Sequence, residues 1–387
     1  MEDRKYIGFF GCRNVGKSSL VNAITNQEMS VVSNVKGTTT DSVKKSMEIL
    51  PLGKVQIIDT PGFDDEGELG QKRVEATKKI LRNCDIAILV TEAGRELNLV
   101  EEELISVFKE RKIPYIIVKN KSDVILKKEK NSEFVIFTSA TKKTGIEELK
   151  NAIGESIKQS SKPKRLVGDL INPNDIVVLV TPIDSAAPKD RLILPQQLAV
   201  RDIIDSHGIV VVTRETELEE TLKSLGRKPA LVITDSQVFG MVNKIVPEEI
   251  SLTSFSILMA RYKGFLDTAV SGAEKISNLK EGDKVLISEG CTHHRQCDDI
   301  GTVKLPNWIK KFTGKNIEFE WTSGNDFSNE IEKYDLVIHC GGCMLNANEM
   351  QYRMNLAIEK NIPFTNYGMA IAYMNGILER SLKAIDK

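Results

Sequence analysis

Little in this sequence marks it for a membrane or a nucleic acid. Its 387 residues carry 53 Lys and Arg against 54 Asp and Glu, a formal net charge of -1. No broad basic field therefore exists to draw the chain to nucleic acid or to an anionic bilayer. Aromatic residues are 6% of the total, and no uninterrupted apolar run is long enough to span a membrane. The opening MEDRKYIGFF enters a strand-like run without the apolar core of a signal segment, so the cytoplasm is the expected compartment. Cysteine is scarce, with 6 residues, and disulfides are rare in a reducing compartment. What remains is the composition of a globular protein too long for one ordinary core, which predicts two or three domains.

The few cysteines are unevenly placed. Cys12 and Cys84 are isolated and read as small packed side chains. Cys291, Cys297, Cys340 and Cys343 fall in the last quarter, together with His293, His294 and His339. Clustering of soft ligands favours metal binding over packing.

The N-terminal third carries four ordered motifs. YIGFFGCRNVGKSSLVNAI is an apolar strand, a loop of the form G-x-x-x-x-G-K-S from Gly11 to Ser18, and a helix. Backbone N–H groups of Gly11, Asn14, Val15, Gly16 and the helix start at Ser19 can wrap phosphates, Lys17 reaches the β/γ oxygens, and Ser18 ligates Mg²⁺. VQIIDTPGF ends a strand at Asp59, which can hold Mg²⁺ through water, and continues to Gly62, whose N–H can sense a γ-phosphate. YIIVKNKSD supplies Asn120, Lys121 and Asp123, the last an acceptor for the guanine N1 and N2 hydrogens that adenine lacks. FTSATKK supplies Ser139 and Ala140 to pack the base. Four motifs in this order, each after a strand, identify a guanine-nucleotide hydrolase. In VKGTTTDSV, Thr39 is the residue expected to complete the Mg²⁺ shell. This block resembles the TrmE–Era branch of GTPases. Asn14 matches the P-loop asparagine of its potassium-activated members, which implies a K⁺ ion doing the electrostatic work of an arginine finger. Phe63 follows the DTPG motif where many small GTPases place a water-orienting glutamine, so hydrolysis is expected to be slow without K⁺, dimerisation or a partner.

After the polar SSKPKR, β-branched runs alternate with helix-period stretches, the pattern of βαβ units on a parallel sheet. No catalytic constellation stands out, and a docking or dimerisation module is expected. His207 before Gly208 reads as a helix C-cap. Asp184, in the proline-punctuated TPIDSAAPKDRLILPQ, reads as a turn residue or as a carboxylate offered to a neighbouring site. From Phe265 the pattern restarts, with MAIAYMNGILERSLKAI expected as one last helix. CTHHRQC and HCGGC fall at the C-terminal ends of predicted strands, where open α/β sheets bind ligands. Cys291, Cys340 and Cys343 would give three thiolates that suit Zn²⁺ or an iron–sulfur cluster, and His293, His294 or His339 could add a fourth ligand. The long separation of the two groups and the glycines of C-G-G-C favour a cluster. Cys297, among charged neighbours, is left outside the set.

C-x-H followed at long range by H-C-x-x-C, behind a TrmE–Era-like GTPase, resembles the [FeFe]-hydrogenase maturation GTPases over essentially the whole chain. The resemblance implies an α/β protein of three domains. These are a P-loop GTPase domain over 1–160, then two smaller parallel-sheet domains, one for dimerisation over 166–262 and one for an iron–sulfur cluster over 263–387. By matching positions, Cys291, Cys340 and Cys343 become ligands of a [4Fe–4S] cluster, with His293 and His339 as the signature histidines. The fourth site is left to a histidine, water or Asp184. The resemblance further implies a homodimeric scaffold for a diiron precursor, with two radical-SAM enzymes and apo-[FeFe]-hydrogenase as partners, and with neither nucleic acid nor membrane. The alternative is a ribosome- or RNA-associated GTPase with a structural zinc site.

Overall fold

The computed structural model describes residues 5–25, 43–49, 53–60, 80–125, 134–160, 165–183, 192–290, 299–324, 327, 330–342 and 345–385. The chain divides into two compact units, Met1–Pro163 and Lys164–Lys387.

The first unit is one six-stranded sheet with helices packed on it. Its strands are β1 (Lys5–Phe10), β2 (Val43–Ile49), β3 (Gly53–Asp59), β4 (Ile86–Glu92), β5 (Tyr115–Asn120) and β6 (Val135–Phe137). They lie in the order β2-β3-β1-β4-β5-β6. All neighbours are parallel except β2 against β3. Continuous apolar runs such as IAILV in β4 are buried throughout, as a sheet covered on both faces requires. The helix Lys17–Thr25 starts where β1 ends, so its N-terminus faces the C-terminal edge of the sheet.

The second unit holds two four-stranded sheets, both wholly parallel as the alternating pattern predicts. The first comprises β7 (Ile176–Val180), β8 (Ile209–Thr213), β9 (Leu231–Thr234) and β10 (Ser251–Ser254), in the order β10-β9-β7-β8. The second comprises β11 (Lys284–Glu289), β12 (Glu318–Ser323), β13 (Leu336–His339) and β14 (Phe364–Asn366), in the order β12-β11-β13-β14. One hydrophobic core runs from Leu166 to Ile385 and joins the two sheets. Phe265 meets Phe364 edge-on with ring centroids 6.3 Å apart. Thr365 Oγ1 donates to the Ala269 carbonyl at 2.6 Å, and Arg380 donates to the carbonyls of Val246, Pro247 and Ile250.

One expectation is corrected. The last helix is two helices, Tyr367–Met374 and Leu378–Lys383, because Asn375 caps the first and Gly376 turns left-handed at φ 69°. At the other end of the unit, His207 is left-handed (φ 59°) immediately after Ser206, the C-cap of the helix Leu194–Asp205. Its carbonyl accepts from Asn174 N at 2.8 Å. Among the described residues no helix is long and apolar enough to cross a membrane.

Candidate functional sites

The phosphate loop is built on backbone conformations that its sequence was chosen to allow. Gly11 (φ 141°), Asn14 (φ 63°) and Gly16 (φ 91°) all lie on the positive side. A Cβ on Gly11 would lie 2.2 Å from the Val90 carbonyl oxygen, and one on Gly16 would lie 2.4 Å from Asn120 Nδ2. Lys17, buried, donates to the carbonyls of Gly11 (2.9 Å) and Cys12 (2.7 Å), which holds its ammonium across the loop. Asn14 and Ser19 are exposed, and Val15 is buried.

Ser18 Oγ donates to Asp59 Oδ2 at 2.6 Å, which brings together the two predicted Mg²⁺ residues, 41 positions apart. Asp59 Oδ1 is buried and has no hydrogen-bond partner among the described residues. Burial pushes the Asp59 carboxyl above its ordinary value, against the Ser18 hydrogen bond and the Lys17 charge. A buried acceptor with an unused oxygen beside a hydroxyl fits a hard divalent cation.

On the base side, Asn120 is 2% exposed and acts as a brace. Its Nδ2 donates to the Val15 carbonyl (2.9 Å), and its Oδ1 accepts from Ala140 N (3.2 Å) and Thr138 Oγ1 (3.3 Å). The phosphate loop and the base loop are thus tied to one amide. Lys121, left-handed at φ 60°, pairs with Glu92. Asp123 is exposed, and the Ser139 hydroxyl holds its carboxyl below the ordinary range. It is therefore an ionised acceptor, as guanine recognition needs. Thr39 and Gly62 lie outside the described residues. Sequence reasoning missed a neighbouring structure: Asn98 caps the helix Leu99–Glu110 and donates to Cys12 Sγ at 3.3 Å, while buried Glu101 binds Arg95 through both oxygens.

In the second unit, His339 and Ser288 are register partners at the ends of β13 and β11. Cys340 N donates to Ser288 O at 2.8 Å, so Cys340 emerges beside the chain that leads through Gly290 to Cys291. Cys340 is half-buried, and its Sγ accepts from Gly290 N (3.1 Å) and Gly342 N (3.3 Å). A Cβ on Gly290 would sit 3.6 Å from Gly342 Cα, so the two loops touch at the described ends. Two N–H donors on one sulfur stabilise the thiolate, the form that binds soft metals.

His339 is wholly buried, with Nδ1 2.7 Å from the Cys340 carbonyl oxygen and Nε2 3.0 Å from Arg353 Nη1. Arginine only donates, so Nε2 accepts and Nδ1 carries the proton. Burial, with the Arg353 charge, lowers its pKa to about 3. In this arrangement the lone pair that would bind a metal is committed to Arg353. Cys291, His293 and Cys343 lie outside the described residues, as do His294, Cys297 and Asp184. Among the described residues no group of three metal-binding side chains comes together. No motif pointed to Arg353, Glu349 and Lys263, which lie against the cysteine loop or its His339, nor to Tyr367, whose hydroxyl donates to Glu289 beside Gly290.

Comparison with known proteins matches three segments, one in the first unit and two in the second. Residues 6–121 match the 50S ribosome-binding GTPase family, residues 166–264 the hydrogen maturase F dimerization domain, and residues 267–384 the hydrogen maturase F tetramerization domain. The chain is similar to GTPase Der of Mycoplasmopsis pulmonis, 33% identical over 198 residues, covering 44% of this chain and 44% of that protein. It is also similar to the tRNA modification GTPase MnmE of Protochlamydia amoebophila, 30% identical over 171 residues, covering 43% and 36%. The chain thus spans less than half the length of these two relatives. Among solved structures, the G domain of the FeoB iron transporter of T. maritima aligns at 24% identity and a TM-score of 0.30, covering 40% of this chain and 98% of that one.

Proposed function

The chain belongs to the hydrogen maturase F family of hydrogenase-maturation GTPases, and from that premise we propose that it hydrolyses GTP in its first unit and holds a [4Fe–4S] cluster in its second. The nucleotide reading is supported by the Ser18–Asp59 pair with its spare buried oxygen, and by the Asn120 brace between phosphate and base loops. Mg²⁺ would be held by Ser18, with Thr39 completing its shell and Asp59 acting through water. K⁺ beside Asn14 would add the charge that a chain with Phe63 after DTPG otherwise lacks.

The observation that carries the cluster reading is Cys340, a thiol at the meeting of two strand ends that receives two backbone N–H groups. Cys291 and Cys343 would complete the thiolate set, with Asp184, His293 or water at an exchangeable fourth site. When bound, the cluster supplies a point of attachment for a diiron cargo. The chain would take that cargo from two radical-SAM enzymes and deliver it to apo-[FeFe]-hydrogenase. GTP and GDP states would govern association with those enzymes, and no phosphoryl group would reach the cargo. A Lys17→Ala variant that matures hydrogenase as well as wild type would refute the coupling.

A homodimer is supported by the edge strand β8, whose Ile209 and Val212 are each 44% exposed. An open apolar edge is a template for a second copy.

The test is anaerobic reconstitution with iron and sulfide, followed by metal analysis and EPR after reduction. About four irons per chain and a signal lost in Cys340→Ala are expected. One bound zinc and no signal would refute the cluster and return weight to the structural-zinc GTPase.

A further inference from the structure

Burying a positive charge is expensive unless strongly polar or negative groups are set against it. Among the described residues the second unit buries Arg353 at 0% exposure and Lys263 at 6%, and both bear on the loop that carries Cys340, Lys263 directly and Arg353 through His339.

Arg353 lies in the helix Ala347–Glu359, and its Nε donates to Glu349 Oε1 at 2.9 Å. Its Nη2 donates to the Gly324 carbonyl at 2.6 Å, just past the end of β12. Nη1 faces His339 Nε2 at 3.0 Å and Ser288 Oγ at 3.5 Å, at the ends of β13 and β11. One guanidinium therefore ties the C-terminal ends of three adjacent strands. Through His339, whose Nδ1–H donates to the Cys340 carbonyl, it also fixes the first peptide of the loop.

Lys263 is the last residue of the helix Phe255–Lys263 on the other sheet, and its Nζ donates to the carbonyls of Gly342 and Leu345. The loop's carbonyls at 340, 342 and 345 are thus turned to donors below it. The amides of Gly290 and Gly342 are turned to the sulfur. A loop polarised in this way is suited to an anionic occupant.

We propose that Lys263 and Arg353, the latter acting through His339, are positioning residues that hold the Cys340 loop as a socket for an anionic thiolate-bound group and raise its reduction potential. The inference rests on the cluster reading above. His339 in this scheme shapes the loop and is not a ligand. The charge of Lys263 beneath the cluster favours its more negative, reduced form, while that of Arg353 is balanced by Glu349; the fixed N–H donors act in the same sense as Lys263.

The experiment uses the full chain reconstituted with iron and sulfide, as wild type, Lys263→Met, Arg353→Lys and His339→Asn. Each variant is first checked for folding by its melting curve, and reduction is then followed by EPR at controlled potential. Lys263→Met should disfavour reduction about tenfold, or ~59 mV for one electron. Arg353→Lys keeps the charge but loses the fork, so its titration should stay within about threefold of wild type while fewer irons are retained. Spectra resolving nitrogen couplings should contain no directly bound imidazole of His339.

If wild type takes up the cluster but folded Lys263→Met titrates with it, the frame is wrong and the cluster reading stands. A bound-imidazole coupling lost in His339→Asn also overturns the positioning role. If wild type takes up no cluster, both readings fall together.

Discussion

The amide of Asn120 offers the sharpest test of how the nucleotide site is held. Asn120→Asp preserves shape and keeps the acceptor that meets Ala140 N and Thr138 Oγ1. It replaces the donor to Val15 O, now 2.9 Å away, with an oxygen. At 2% exposure no water can substitute freely, so a buried carbonyl is left unmet and faces another acceptor. Such a loss costs about 1–3 kcal/mol, which is about 5–150-fold in an equilibrium constant. Because Val15 lies inside the phosphate loop, the loss should fall on nucleotide affinity. Titration with a fluorescent GDP analogue at fixed Mg²⁺, beside a melting curve, measures both. The sign with pH is a second check. Burial raises the pKa of the introduced carboxyl, and its protonated form can donate to Val15 O, so the defect should shrink as pH falls toward about 5. An N120D variant that binds GDP within about twofold of wild type and melts at the same temperature would mean the brace carries no energy.

Other expectations follow from the same geometry. Gly16→Ala places a Cβ 2.4 Å from Asn120 Nδ2 at a φ of 91°, and should abolish measurable GTP binding by calorimetry. Asp123→Asn replaces an acceptor with a donor, and should lower GTP affinity while raising that for xanthosine triphosphate in competition assays. In wild type the Asp123 carboxyl is held below 3.8, so its contribution is present above that value and lost as pH falls through the lowered one. Guanine selectivity should accordingly be flat from about pH 5 to 8. Ile209→Lys with Val212→Lys puts two charges on the β8 edge, and should shift the chain toward monomer in sedimentation without lowering GTP turnover per nucleotide site in saturating K⁺.

The phosphate loop, the Mg²⁺ pair and the base brace were legible because each is a short contiguous motif whose backbone shape its own residues determine. Ser18 and Asp59 are distant in sequence, yet each sits at a strand end, and parallel strands bring such ends to one edge. Cys340 was legible for the same reason. The groups beneath it were not. Glu349 and Arg353, four apart on a helix, read as a solvated ion pair until a sheet is packed over them. Lys263, in the last turn of its helix, reads as a charge that complements the helix dipole. His339 read as a candidate ligand because its residue type is visible in sequence and its arginine partner is not. The broken last helix was a missed signal of another kind, since Asn375-Gly376 is a turn pair that apolar periodicity outweighed.

The core that runs unbroken from Leu166 to Ile385 bears on how such a protein could arise. A cut near 163 and 164 leaves each hydrophobic core whole, so a nucleotide-binding module can be gained or exchanged there by recombination. A cut at Gly264 cannot do the same, although the sequence pattern restarts beside it. It would bare Phe265, Phe364 and the carbonyls that Arg380 now holds, and would separate Lys263 from the loop it anchors. The two later sheets are therefore a single heritable piece, inherited or lost together.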